Sequence, residues 1–216
     1  MVSAIFTFLI YLFNSEDKIN LVAIGDSIAS GETSYNIDGI SFNDYLKEYF
    51  ESKKLLKTYN KSYSFEKYEL ADLKNDLNNN AVFKEDKLYI KQILHNADII
   101  TIAIGEEELT NLAMSKNLNL EDIKKYLFLY DEIIGIIKNI SEAKIVIIGY
   151  YENVYLEKNK VIILNSELAN MALKYNIIFI NIIDLMTNNE YFLNKNDIYF
   201  NYKGHKMIAN MIINSI

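Results

Sequence analysis

Five strand-like runs alternate with helical patterns along this chain: Asn20–Ile24, Ser62–Phe65, Asp98–Ile104, Lys144–Ile148 and Ile177–Ile182. Three of them are continuous apolar blocks, as strands buried on both faces of a parallel sheet must be. Between and after them the predicted helices are Ser41–Leu56, Ala71–Asn78, Asp86–His95, Leu120–Asn139, Val161–Tyr175 and Lys203–Ile213. Leu120–Asn139 is the clearest, opening on Glu121-Asp122 and repeating Ile123, Leu127, Tyr130, Ile134 and Ile137 at helical spacing. Such alternation implies a three-layer α/β/α domain around a five-stranded parallel sheet, joined by right-handed crossovers. With 216 residues and no linker, repeat or low-complexity tract, one domain over residues 19–216 is expected.

Composition narrows the function. Half of the residues are hydrophobic and 24% are charged, so the chain is globular. A net charge of −7 argues against a nucleic-acid surface, which concentrates cations to meet phosphates. With no cysteine, disulfides, thiolate catalysis and zinc–thiolate sites are excluded. Pro, Trp and Arg are also missing, and the Ile, Asn, Lys and Tyr bias suits a genome poor in G and C. Residues 2–13 form an uncharged apolar run, shorter than the roughly 20 residues a membrane span needs and without a cationic flank or cleavage site. Residues 1–18 are read as a degraded or truncated export or anchor segment, and the other reading is a segment packed on the domain. Membrane contact is expected only through residues 2–13. The location is accordingly exported or membrane-associated on the first reading and cytoplasmic on the second.

The first strand ends abruptly in Gly25-Asp26-Ser27, which would deliver a serine to the carboxyl edge of the sheet, where open α/β folds place their chemistry. With Ile28-Ala29-Ser30-Gly31 following, the chain here resembles the SGNH/GDSL hydrolases, esterases and acylhydrolases on a flavodoxin-like three-layer fold, whose first block is a Gly-Asp-Ser carrying the nucleophile. The resemblance spans nearly the whole chain from Asn20 onward. It implies that Ser27 is the nucleophile position, with four further positions around it altered. The second block's glycine, whose N–H helps to hold the oxyanion, is Lys67. The Gly-x-Asn-Asp block reads Gly105-Glu106-Glu107-Glu108, so Glu107 replaces an asparagine donor. In the last block, registered on Asn201-Tyr202-Lys203-Gly204, the acid position holds Asn196 and the histidine position Tyr199.

An ionised carboxylate cannot donate a hydrogen bond, and a neutral phenol is a poor base near pH 7. The expectation is therefore a pseudoenzyme with a scaffold or ligand-binding role, taking a small ester, lipid or glycan. The alternative is a weak or altered esterase acting through Ser27. Lys67 and Glu107 are expected to pair as ions across the pocket, the other reading being two solvated surface charges at its rim. Lys67 serving as base would need a depressed pKa, which neighbouring carboxylates oppose. A flavin or nucleotide site is disfavoured because Asp26 would face the phosphate, and no cofactor is expected. His95 and His205 are too far apart in sequence, without cysteine, to suggest a metal site, and both read as structural. Three consecutive glutamates cannot all converge on one cation. Tyr150, Tyr151 and Tyr155, after the fourth strand, suggest a platform for stacking on sugars, the other reading being amphipathic packing at half-buried positions.

Overall fold

A computed structural model describes residues 18–35, 39–83, 87–115, 118–193 and 197–216. Among these, β1 (Ile19–Gly25), β2 (Leu56–Ser64), β3 (Ile99–Ala103), β4 (Lys144–Ile148) and β5 (Ile178–Ile180) form one parallel sheet in the order β2-β1-β3-β4-β5. The helices are α1 (Ser27–Ser30), α2 (Phe42–Ser52), α3 (Leu70–Asn79), α4 (Ile90–His95), α5 (Glu106–Ser115), α6 (Leu120–Ile140), α7 (Lys158–Tyr175) and α8 (Tyr202–Ile213). The apolar N-terminal run lies outside the described residues. No helix among the described residues is long and apolar enough to cross a membrane.

Alternating side chains of the central strands feed two cores. Val22, Ile24, Ile100, Ile102, Ile145 and Ile147 pack on one face against α3, α4, α6 and α7. Leu21, Ile99, Val146 and Ile148 pack on the other against α2 and α8. Helix starts are fixed locally. Ser41 and Asp44 cap each other's N–H groups at α2, and Asn119 with Asp122 does the same at α6. Asn201 accepts from the Lys203 and Gly204 N–H groups at α8.

The expected architecture is observed, with local corrections. β2 begins at Leu56 rather than Ser62, and α2 stops at Ser52 where it was expected to run to Leu56. Lys54 turns the chain at φ 61°, and β2 then pairs from Ile19↔Leu56 onward. β2 is an outer strand, paired only with β1, so it tolerates Lys57, Asn60 and Lys61 and lacks an apolar block. α4 starts at Ile90, after Tyr89 bridges Val82, so the expected Asp86 start does not hold and Asp86 itself lies outside the described residues. α5 was not expected at all.

Candidate functional site

The register Gly25↔Ser64 and Gly25↔Ala103 brings the ends of β1, β2 and β3 to one edge. Gly25 is required there: a Cβ would stand 1.8 Å from the Ala103 carbonyl oxygen. Beyond it the Asp26 N–H donates to that same oxygen at 3.0 Å, and α1 begins at Ser27. Ser27 is 1% exposed, and its hydroxyl has no hydrogen-bond partner among the described residues. No imidazole or lysine among them therefore meets it.

Asp26 is built into the scaffold. Its Oδ2 accepts the Gly105 N–H at 2.7 Å and the Glu107 N–H at 3.3 Å, while Oδ1 is buried without a partner among the described residues. Burial pushes its carboxyl up to about 7, against the opposing effect of those N–H groups. The neighbouring Glu106, equally buried, goes up to about 8, first through burial and then through the charge of Asp26. Its Oε1 accepts from the Thr110 hydroxyl at 3.0 Å and the Asn153 amide at 2.9 Å. Around neutral pH at least one proton is thus held within this pair.

The three consecutive glutamates diverge. Glu106 points into the core, Glu107 accepts the Lys67 N–H at 3.0 Å, and Glu108 accepts the Leu70 N–H at 3.3 Å. Lys67 and Glu107 do meet, but through the main chain of Lys67 instead of the expected ion pair. The Lys67 ammonium lies 2.6 Å from Glu66, and that hydrogen bond holds its pKa above the ordinary lysine value. Such a shift opposes a role as base. The lysine main chain adopts φ 61°, the left-handed region glycine enters most easily. Tyr199 is half-buried, and burial together with the charges of Glu32, Glu107, Glu106 and Glu66 raises its phenol pKa. Asp26, Lys67, Glu107 and Tyr199 thus share one carboxylate-rich edge, whereas Ser27 bonds to none of them through its side chain. Asn196 lies outside the described residues.

Sequence reading missed the support beneath this edge. Gly105 has φ +91°, and a Cβ there would fall 1.6 Å from the Tyr126 hydroxyl. Tyr126 and Tyr150 bond to each other at 2.5 Å and to the Ile104 carbonyl at 3.3 and 2.9 Å. The sugar-platform reading fails for Tyr150 and Tyr151, which are buried, and only Tyr155 is substantially exposed. The Gly105-Glu106 step, a glycine followed by an acid at a strand end, was the available signal for a buried carboxyl. His95 sits at the end of α4 with Nδ1 3.3 Å from the Ile140 carbonyl, and His205 packs between Phe42 and Phe200. Among the described residues no cluster of three or more His, Asp or Glu could hold a metal ion.

No protein-family model matches this chain, and no curated protein matches its sequence. Solved structures do match its fold. A lipase/acylhydrolase of Enterococcus faecalis is 16% identical with a TM-score of 0.66, over 91% of this chain and 94% of that one. A protein of Parabacteroides merdae assigned as a GDSL-like lipase is 13% identical with a TM-score of 0.67, over 93% and 97%. An acetylxylan esterase of Geobacillus stearothermophilus, solved as a catalytic mutant, is 17% identical with a TM-score of 0.65, over 92% and 94%. The chain therefore has the α/β/α fold of the SGNH/GDSL hydrolases.

Proposed function

We propose that this chain, on a GDSL hydrolase fold, binds a ligand without hydrolysing it. One contact carries the reading: the Lys67 N–H, the position that would meet an oxyanion, donates at 3.0 Å to the carboxylate of Glu107. That contact takes away a donor and leaves a negative charge where more negative charge would have to develop. Removing a single such donor raises a barrier by about 2.7–4 kcal/mol, and a fixed carboxylate adds repulsion to that loss.

Ser27 supports the same reading. A serine hydroxyl is a weak nucleophile unless a base takes its proton, and this one is buried without a partner among the described residues. In this reading Ser27 is the retained nucleophile position, inactive, and Asp26, Lys67, Glu107, Asn196 and Tyr199 are the altered pocket. The ligand class, drawn from the esterases and lipases that share the fold, is a small ester, a lipid or an acylated carbohydrate.

A serine-directed fluorophosphonate followed by intact-protein mass spectrometry tests it. The expected result is no adduct in the native chain, and an adduct that disappears in Ser27→Ala would overturn the reading. The Glu107→Asn, Tyr199→His double variant returns a donor and an imidazole. It should hydrolyse p-nitrophenyl acetate faster than the native chain.

A further inference from the structure

A cleft of about 180 Å³ lies beside this edge, walled by Gly31, Ile40, Leu193, Tyr199, Phe200 and His205. His205 is 3% exposed, stacks on Phe42 at 6.5 Å and meets the edge of Phe200 at 6.1 Å. Its Nδ1 is buried without a hydrogen bond among the described residues. Burial pushes the imidazole down to about 4, so at pH 7 it is neutral, with one donor and one acceptor to satisfy. Two further polar side chains on the cleft are already engaged. Ser34 donates to Asp197, and Asn201 caps α8 while donating to the Glu190 and Phe192 carbonyls. Packing alone is served as well by phenylalanine, which leaves no buried polar atom unsatisfied.

We propose that this cleft binds a small uncharged hydroxylic molecule, a phenol or an alcohol of similar size, whose hydroxyl bonds to the His205 imidazole. The size follows from volume, since a cavity of about 150 Å³ lined by apolar side chains takes benzene. A hydroxyl both donates and accepts, so it matches either tautomer of the ring. Anions are disfavoured by the carboxylates of Asp44, whose charge acts on His205, and of Asp197 beside Ser34. Cations would have to shed water against Ile40, Leu193 and Phe200. The inference rests on the reading that the chain holds a ligand without cleaving it, and it gives that ligand a chemistry: the alcohol half of an ester.

Phenol titrated into the full chain, observed through the ring nitrogens of its two histidines by NMR, tests the proposal, with His95 as internal control. Saturable shifts confined to His205, with a rise in Tm, are expected. Benzene should bind at least tenfold more weakly, and benzoate should leave His205 unmoved. Ile40→Trp, at a half-exposed position on the cleft, should abolish the shifts. His205→Phe keeps the ring stacking and should lose the preference for phenol over benzene, read by the rise in Tm. Unmoved His205 signals, benzene binding as tightly as phenol, or full binding by Ile40→Trp would each overturn it. The fluorophosphonate result at Ser27 is independent of all of these, so failure here and failure of the non-catalytic reading are told apart.

Discussion

Two aspartates clip β1 to the chain around β3, one at each end of the sheet. At the amino end Asp98 accepts the Asn20 N–H at 2.7 Å and its side-chain amide at 3.0 Å, in contact with water. At the carboxyl end Asp26 accepts the Gly105 and Glu107 N–H groups with nearly the same geometry, but buried. The hydrogen bonds are alike and the surroundings are not. Water can replace the first clip if it is lost, whereas nothing replaces the second. Burial beside Glu106 also makes Asp26 costly to ionise, so the carboxyl end is held by a group the fold prefers to keep protonated.

The largest test of this asymmetry is Gly105→Ala. A methyl group at φ +91°, aimed at the Tyr126 hydroxyl, should cost about 3 kcal/mol or more, seen as a lower urea midpoint. The paired variants Asp26→Ala and Asp98→Ala, compared at pH 5, come next. The first strands buried donors and should lose about 2 kcal/mol, against about 1 kcal/mol or less for the second. Equal losses would dissolve the comparison.

The pH dependence is a smaller effect. Asp26 rises from 3.8 to about 7 and Glu106 from 4.5 to about 8 on folding. Between those limits the native chain keeps protons that the unfolded chain has released. Stability should therefore fall as pH rises from about 4 to about 8, by at least about 1 kcal/mol between pH 5 and pH 8. Asp26→Asn keeps the acceptor for both N–H groups without the charge, so it should flatten that slope and be the more stable protein at pH 8. Urea melts across the pH range read both.

Sequence carried the inner part of the fold well. β1, β3 and β4 are apolar on both faces because helices cover both, and that leaves an unmistakable run of Ile and Val. β2 was half hidden, since an outer strand can be built from Lys57, Thr58 and Asn60. α5 was hidden because Glu106-Glu107-Glu108 looks like a solvated charge run, although Glu106 is buried on Thr110 and Asn153. At the candidate site the residue types were legible and the partners were not. That Lys67 reaches Glu107 through its amide and not its ammonium depends on a main-chain angle that no spacing pattern reports. Nor does a single-residue reading reveal that two buried carboxyls share a neighbourhood, because the cost of burial arises only once the chain has folded.

The left-handed bend at Lys67 bears on how this molecule could change over generations. Its peptide already follows a path that a residue without a side chain would take, so an exchange to glycine there asks for no rearrangement of the main chain. At this position, gaining or losing a side chain is then a replacement on a main chain that stays still.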